Sequence, residues 1–278
     1  MTDTASVKFR ASSVGQLLVG GNAITDKQLD RLKELLARKS ASLVDEKVKP
    51  LTATMQQELD ELIAKRDGEF KFGATAINYI RDCWLRNTYG YDEPIVTNEI
   101  LKGLSCEDEA IGVLSRQVEG SFRFKNVQSY EDSHFTGTPD VVGDEWVEDI
   151  KCSWTLRTFV ETLKPDPIYY AQGQVYMALT GREYFRLAHV LVDTPEDIIR
   201  EEIKRFYFRF NCDEMNPHYL EASDKVMRMH KASSLIPESD RIKYFEFRRN
   251  DQYIANLRSK VEIARNVYSS MTLKGNDE

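Results

Sequence analysis

The residues best suited to chemistry are an aspartate and a lysine two positions apart, Asp149 and Lys151. Alternating apolar and polar residues from Trp146 to Cys152 predict a β-strand, in which positions i and i+2 face the same side roughly 6.6 Å apart. Three other acidic residues also lie two before a lysine, in segments that resemble helix or loop: Asp45/Lys47, Glu69/Lys71 and Glu202/Lys204. Of the four pairs, only Asp149 and Lys151 are therefore predicted to lie in a strand, with both side chains on one face.

A second carboxylate is expected beside this pair. Pro139-Asp140 ends the preceding strand of the same predicted hairpin, whereas the other proline-aspartate pair, Pro165-Asp166, has no acidic-lysine pair nearby. Two neighbouring strands thus bring Asp140, Asp149 and Lys151 to one point of the predicted sheet. Strand alternation turns Glu148 to the opposite face, where it is expected to be exposed to solvent or paired with a cation.

Two carboxylates beneath a lysine would be unfavourable in an apolar core, because like charges and desolvation raise carboxylate pKa values. A divalent cation removes that penalty, and hard oxygen ligands suit Mg²⁺ or Mn²⁺. Mg²⁺ usually binds only one or two protein carboxylates and completes its shell with water and phosphate oxygens. The lysine would then orient an attacking water or offset charge in the transition state. The cluster therefore predicts a site that cleaves phosphodiesters.

The elements that position these residues predict a mixed α/β fold, with a central mixed sheet flanked by helices. Thr25 and Gln28 form a capping-box pattern at the start of one helix, and a second helix is expected from near Thr54 to about Asp67. These two helices should pair as an N-terminal helical hairpin that packs on the core, or else forms an arm that binds a partner or guides DNA. Further helices are predicted around Ile77–Leu85, Ser105–Gln117, Trp154–Leu163, Ile168–Leu179, after Thr194-Pro195, Asp213–Lys231 and Asp251–Met271. Strands are predicted at Phe122–Lys125, from His134 to Pro139, at Trp146–Cys152, Phe185–Val192 and Ile242–Phe247, with a hairpin turn at Gly143-Asp144.

Three consecutive acidic residues, Glu107, Asp108 and Glu109, fall near the start of the helix predicted from Ser105. Acidic side chains in a first turn stabilise a helix through its dipole, which explains them without any function. A role of Glu107 at the carboxylate cluster is the alternative.

Taken together, these motifs resemble the PD-(D/E)XK nuclease signature, and the flanking residues are similar to the YqaJ-like or lambda-exonuclease-type phage recombination exonucleases. Gly137, Pro139 and Asp140 followed by Asp149 and Lys151 give the signature itself. Gly103 and Glu107 match the family's G-x-x-x-E, and Gln172 with Tyr176 matches the Q-x-x-x-Y of RecB-like nucleases. The resemblance extends from about Leu101 to Val192, roughly a third of the chain, and it implies a restriction-endonuclease-like core.

The resemblance implies two bound Mg²⁺ or Mn²⁺ ions per site. Asp140, Asp149, Glu107 and the backbone carbonyl of Ile150 would be their ligands. Gln172 would hold the DNA backbone or a water, with Tyr176 as support, although both also suit an ordinary amphipathic helix. The aspartate at position 149, where glutamate is commoner, could shift the metal preference.

The resemblance also implies DNA contacts and an assembly. Arg10, Ser12 and Ser13 are similar to the segment that receives a 5′ phosphate, and helix capping is the alternative reading of both serines. A long stretch separates Ser13 from Glu107, so the family's phosphate-binding role is assigned to these residues less directly. The family further implies a ring-shaped homotrimer around duplex DNA, together with a single-strand annealing protein as partner. Basic residues expected to line such a channel are Arg116, Arg123, Lys125, Arg157 and Arg186.

The composition is that of a folded protein with a substantial core: 278 residues, 41% hydrophobic, 30% charged and a net charge of −7. The negative charge argues against non-specific coating of nucleic acid. No apolar run reaches the roughly 18 residues of a membrane span, so no membrane partner is expected. The four scattered cysteines, Cys83, Cys106, Cys152 and Cys212, argue against a disulfide framework or an iron-sulfur cluster. A cytoplasmic protein of a bacterial host cell, encoded by a phage or prophage, is expected.

These observations predict two regions, 1–100 as a helical region and 101–278 as the nuclease core with C-terminal helices. The predicted function is a metal-dependent DNA exonuclease that resects duplex ends, 5′ to 3′, and exposes a 3′ single strand for phage-type recombination. Three alternatives remain: an endonuclease, a RecB-like CRISPR-associated nuclease, and a non-catalytic DNA-binding scaffold with the same fold.

Overall fold

The computed structural model describes residues 6–45, 47–117, 123–210 and 215–273. Its chain separates into two compact units, one of Gln16–Arg81 and one of Met1–Gly15 with Asp82–Glu278. The division into 1–100 and 101–278 stays a prediction. None of the helices among the described residues is long and apolar enough to cross a lipid bilayer.

Ten α-helices and seven strands are assigned in the described residues, with three short 3₁₀ helices besides. The helices are α1 (Ala11–Val14), α2 (Asp26–Val44), α3 (Ala53–Asp67), α4 (Ala74–Tyr89), α5 (Asn98–Gln117), α6 (Leu156–Glu161), α7 (Pro167–Thr180), α8 (Glu196–Phe210), α9 (Pro217–His230) and α10 (Asp251–Ser270). The strands are β1 (Phe9–Arg10), β2 (Tyr130–Glu131), β3 (Phe135–Gly137), β4 (Val141–Val142), β5 (Trp146–Cys152), β6 (Tyr184–Val190) and β7 (Ile242–Arg248).

The central sheet has four strands in the order β4-β5-β6-β7. β5 runs parallel to β6, and the two outer pairings are antiparallel. The predicted mixed sheet flanked by helices is therefore confirmed. β4 pairs only with the first half of β5, Val141 with Glu148 and Val142 with Val147, so its pairing ends before Asp149. The edge of β5 beyond that point is open to side chains.

A second, three-stranded sheet in the order β1-β3-β2 was not predicted. β1 is parallel to β3, with Phe9 beside Phe135 and both rings fully buried. Arg265 of α10 supports this sheet by donating two hydrogen bonds to the carbonyl of Val7, at 3.0 and 2.9 Å. The sheet places α1 and its serines next to the loop that leads to Asp140.

The predicted N-terminal helical hairpin is formed by α2 and α3, in the unit of Gln16–Arg81. The capping box at Thr25 is present, because its side chain accepts from the Gln28 amide and the Gln28 side chain accepts in return. α3 is capped by Thr52, two residues before the predicted start. A core of Leu32, Leu35, Leu59 and Leu62 joins the two helices.

The helix predicted from Ser105 begins seven residues earlier, at Asn98. Its first turn contains a single acidic residue, Glu99, so the helix-dipole explanation for the acidic run at Glu107 is wrong. The buried face of α5 packs against β4, β5 and β6 through apolar side chains: Cys106, Ala110, Ile111, Val113 and Leu114 on the helix, with Val141, Ile150, Ala188 and Val190 on the strands.

The remaining elements follow the predictions to within a few residues, with two exceptions. Arg123, Phe124 and Lys125 form no strand, and Phe122 lies outside the described residues. The start of the helix expected from Asp213 also lies outside them, as does Cys212, and α9 begins after a cap at Asn216. The three described cysteines are free thiols, with Cys83 and Cys106 buried.

Candidate active site

A cleft of about 940 Å³ gathers most of the predicted site residues, all within the unit of Met1–Gly15 and Asp82–Glu278. Nine predicted residues line it: Arg10, Ser12, Glu107, Asp140, Asp149, Ile150, Lys151, Gln172 and Tyr176. Of the other two, both described, Ser13 does not line the cleft and Arg157 lies on α6, 85% exposed and ion-paired with Glu161.

Asp149 and Lys151 lie on the same face of β5, as the strand alternation predicts. Asp149 is only 2% exposed, and its Oδ2 atom lies 2.7 Å from Nζ of Lys151. The angles of this ion pair fall outside hydrogen-bond geometry, so Oδ2 is a buried oxygen with no aligned donor. Burial by itself would lower the pKa of Lys151, but the charge of Asp149 outweighs it and raises that pKa. The ammonium therefore stays protonated at neutral pH.

Asp140 lies between β3 and β4. The strand that it was expected to end, β3, belongs to the small sheet, and the hairpin partner of β5 is β4, so that part of the prediction is wrong. Its Oδ2 atom accepts a hydrogen bond of 2.6 Å from the backbone N–H of Ile150, at the open edge of β5. Burial raises the pKa of Asp140 to about 7, and the nearby charges of Asp149 and Glu107 add to the rise. Both burial and nearby negative charge disfavour the ionised form of a carboxylate.

The open edge of β5 also presents the carbonyl of Ile150. In an extended strand the N–H and C=O groups of one residue point to the same edge, because a hydrogen-bonded pair exchanges both bonds with one neighbour. Since the N–H of Ile150 is bound by Asp140, its carbonyl faces the same side. This oxygen is the fourth predicted ligand.

Gln172 and Tyr176 lie one turn apart on α7 and form a buried network beneath Asp149. Nε2 of Gln172 donates to Oδ1 of Asp149 at 2.8 Å and to the Tyr176 hydroxyl at 3.1 Å. That hydroxyl in turn donates to the carbonyl of Thr138, two residues before Asp140, at 3.2 Å. The network fixes the orientation of one carboxylate and the backbone that carries the other. Direct contact of Gln172 with DNA stays a prediction.

Two glycines permit this network. A Cβ atom on Gly173 would lie 2.2 Å from the Phe185 ring, so only glycine lets α7 approach β6 this closely. A Cβ atom on Gly137 would lie 2.7 Å from the Tyr176 ring. Gly137 belongs to the motif quoted above, and the close approach explains why a glycine is needed there.

Glu107 lines the cleft from α5 and is bound by a lysine. Nζ of Lys125 lies 3.3 Å from Glu107 and 3.0 Å from Asp108. Glu107 on α5 and Asp149 on β5 thus each have a lysine ammonium as neighbour.

The residues present fit a divalent cation. Within the described residues, no three His, Cys, Asp or Glu side chains converge closely enough to coordinate an ion in this conformation. Three carboxylates nevertheless line one cleft, and one of their buried oxygens lacks an aligned donor. The pKa of Asp140 is raised mainly by burial and further by its acidic neighbours. Carboxylate and carbonyl oxygens are the ligands that Mg²⁺ and Mn²⁺ prefer.

The basic residues expected to line a DNA channel are ion-paired in this structure. Glu148 on the opposite face of β5 is buried and binds Arg123 at 2.6 Å and Arg186 at 2.8 Å. Glu148 is thus paired with cations, and the solvent-exposed alternative is wrong. Arg116 binds Glu238 at 2.9 Å. A channel lined by these side chains stays a prediction.

Three solved structures resemble this chain. A phage-related exonuclease from Haemophilus somnus 129PT is 18% identical with a TM-score of 0.61, covering 95% of this chain and 94% of its own. An alkaline exonuclease, LHK-Exo, from Laribacter hongkongensis is 16% identical with a TM-score of 0.53, covering 96% and 90%. The structure of LHK-Exo in complex with dAMP gives 0.51 at the same identity and coverage.

No family model and no curated protein matches the chain. The likeness therefore concerns the fold, and it spans nearly the whole of each chain. The chain has the fold of these exonucleases, which confirms the fold implied by the resemblance to phage recombination exonucleases of the PD-(D/E)XK type.

Proposed function

We propose that this chain is a metal-dependent DNA exonuclease that resects duplex ends from the 5′ side and leaves a 3′ single strand. One observation carries the proposal: Asp140, Asp149 and Lys151 meet at the open edge of β5, inside a cleft, in a fold shared with exonucleases. A structural ion pair alone would explain one carboxylate beside Lys151 but not the second, Asp140, which lines the same cleft.

Each side chain of the cluster has a distinct task. Asp140, Asp149, Glu107 and the Ile150 carbonyl would hold Mg²⁺ or Mn²⁺, expected as two ions. The metal would supply a Lewis acid that favours deprotonation of a water and offsets charge on the scissile phosphate. Lys151, kept protonated by Asp149, places a positive charge where negative charge develops on the phosphate. Gln172 fixes the rotamer of Asp149 through its 2.8 Å bond.

DNA would enter the cleft with its 5′ phosphate towards Arg10 and Ser12, which line the end of the cleft formed by β1 and α1. Arg10 is a stronger candidate than the serines, because a guanidinium binds a phosphate through two parallel N–H bonds. Ser13 and Arg157, which do not line the cleft, are weaker candidates.

The wider role follows from the same proposal. The chain would act in the cytoplasm of a bacterial host on behalf of a phage or prophage, and it would deliver the 3′ strand to a single-strand annealing protein. A homotrimeric ring around DNA would help an acidic chain to retain its substrate. Light scattering should then give about three times the chain mass of 32.1 kDa.

The decisive experiment compares linear blunt duplex, nicked circles and closed circles in Mg²⁺, with the linear duplex labelled at either the 5′ or the 3′ end. We expect only linear DNA to be digested, the 5′ label to be released first, and EDTA to stop the reaction. Asp140→Asn and Lys151→Met should each lower the initial rate at least ~10²-fold. Asp144→Asn, at an exposed turn residue on the same hairpin, is the matched control and should retain activity.

The other readings give different results. Cutting of closed circles would identify an endonuclease. Tight duplex binding without digestion in any divalent metal would identify a scaffold. Unchanged rates in both Asp140→Asn and Lys151→Met would exclude the assigned site.

A further inference from the structure

Lys102, on the second turn of α5, is a buried ammonium that the sequence reasoning did not single out. It is 1% exposed, and its Nζ donates three hydrogen bonds to the carbonyls of Ser153 at 2.7 Å, Trp154 at 3.0 Å and Val192 at 2.9 Å. All three acceptors are neutral main-chain groups. Burial lowers the pKa of Lys102 accordingly. A charge held in the interior by neutral groups alone is unfavourable unless those bonds are well formed.

The three carbonyls have a shared position in the fold. Ser153 and Trp154 follow the end of β5, and Val192 follows the end of β6. Where two parallel strands end, the ladder no longer satisfies these carbonyls, and each would need another donor. A single ammonium with three N–H groups binds all of them. Lys102 therefore ties α5 to the carboxyl ends of both central strands.

Both elements that Lys102 joins, α5 and β5, carry residues of the candidate active site. On α5, Glu107 follows Lys102 by five residues and comes immediately after Cys106, where the apolar cluster begins. On β5, Ser153 follows Lys151 by two residues. The apolar cluster holds the second half of α5 on the sheet, whereas Lys102 ties the first half to it. Glu107 lies where these two attachments of α5 meet, so its distance from Asp149 depends on both, and Lys102 supplies the one nearer the start of the helix.

We infer that Lys102 is a positioning residue that sets the place of Glu107 relative to Asp140 and Asp149, and so the affinity of the site for its metal. This inference rests on the proposed function, because it assigns Glu107 to the metal. Its action is indirect, since the ammonium binds only backbone carbonyls and not the cleft contents.

The test measures metal binding by the free protein rather than cleavage. Lys102→Met keeps the length of the side chain and removes all three donors. Free Mn²⁺ is followed by electron paramagnetic resonance during titration of wild type, Lys102→Met and Val113→Ala, each first checked for folding by circular dichroism. Val113, buried in the apolar half of the same helix, is the matched control, since its truncation destabilises the core without loosening the tie.

We expect Lys102→Met to bind Mn²⁺ at least ~10-fold more weakly, a loss typical of groups that position a metal ligand. Val113→Ala should keep the wild-type affinity for Mn²⁺ even if its melting temperature falls as far as that of Lys102→Met. If Lys102→Met does not fold at the assay temperature, Lys102→Gln, whose two N–H donors cannot bind all three carbonyls, replaces it under the same criteria.

The inference is overturned if Lys102→Met, or its replacement, binds Mn²⁺ no more weakly than Val113→Ala. That outcome leaves the proposed function intact, provided the wild type binds Mn²⁺ and digests linear duplex. Wild-type protein that is folded but neither binds Mn²⁺ nor digests DNA would contradict the proposed function itself, and this inference with it.

Discussion

Replacing Gly173 by alanine should separate α7 from β6 and so disturb Asp149 through Gln172. The added Cβ would lie 2.2, 2.4 and 2.6 Å from three atoms of the Phe185 ring, which is fully buried and stacks on Phe247. Two carbon atoms in contact need about 3.5 Å, so ring and helix must move apart by about 1.3 Å. Along the bond axis, the same shift would lengthen the Gln172 to Asp149 bond from 2.8 Å to a distance beyond hydrogen bonding.

Two opposing effects decide whether Gly173→Ala raises or lowers the free energy of unfolding. Alanine in place of glycine stabilises a helix interior by about 1 kcal/mol. Overpacking costs about 1–3 kcal/mol, and the high end applies here because neither the buried ring nor the helix backbone has space to move into. Gly173→Ala should therefore destabilise the protein by about 2 kcal/mol, whereas Gly103→Ala should stabilise it by about 1 kcal/mol. Gly103 is also helical, but its added Cβ would meet no atom within 4 Å.

The assay is thermal unfolding of the two variants beside the wild type, with cleavage rates for Gly173→Ala. A difference of about 3 kcal/mol between the variants corresponds to roughly 6–12 °C in melting temperature for a chain of this size. Gly173→Ala should also digest linear duplex more slowly. If Gly173→Ala unfolds at or above the wild-type temperature, α7 does not depend on this close approach, and the reasoning fails.

Three further predictions use other contacts. Gln172→Met leaves an oxygen of Asp149 buried without its donor, so the free energy of unfolding should fall by about 1–3 kcal/mol in urea titrations and the cleavage rate by about 10-fold or more. Glu148→Gln removes the carboxylate that pairs with the buried Arg123 and leaves Arg186 with Glu246, so it should cost about 3 kcal/mol in the same titrations. Cleavage by the folded protein should be normal, because the side chain faces away from the cleft. Burial opposes ionisation of Asp132, but two backbone N–H groups and Arg258 lower its pKa below the ordinary 3.8. The stability that this carboxylate adds is therefore present above pH 3.8 and is lost as the pH falls through the lowered pKa. In urea titrations, the free energy of unfolding of Asp132→Asn should be lower than that of the wild type at neutral pH, and the two values should converge in acid.

The alternating pattern of the strands was sufficient to predict that Asp140, Asp149 and Lys151 lie close together. Period-two patterning put Asp149 and Lys151 on one face of β5, and the hairpin turn at Gly143 placed Asp140 nearby. The small sheet was missed because only β3 falls in a segment predicted as a strand, whereas β1 and β2, of two residues each, carry no measurable period. The early start of α5 was missed for a different reason: Asn98 and Lys102 are polar, so the apolar period seemed to begin later.

Lys102 nevertheless left a signal in the sequence. Residues Asn98, Lys102, Cys106 and Ala110 follow one another at intervals of four and are all buried, so the lysine continues the buried stripe of α5. A lysine on such a stripe must find acceptors in the interior. Which acceptors it finds depends on where two distant strands end, which no local pattern contains. The role of Gln172 is non-local in the same way, since its partner Asp149 is 23 residues away.

The electrostatics of the cleft explain why these supporting groups surround it. Asp140 and Asp149 repel each other, and without a cation the raised pKa of Asp140 partly relieves that repulsion by protonation. The backbone N–H of Ile150, the amide of Gln172 and the ammonium of Lys151 each bind one of these carboxylates. They restrain the orientation of both carboxylates, so less side-chain freedom would be lost when a cation binds. Two carboxylates buried side by side are costly for folding, and the proposed cation would offset that cost by supplying positive charge between them.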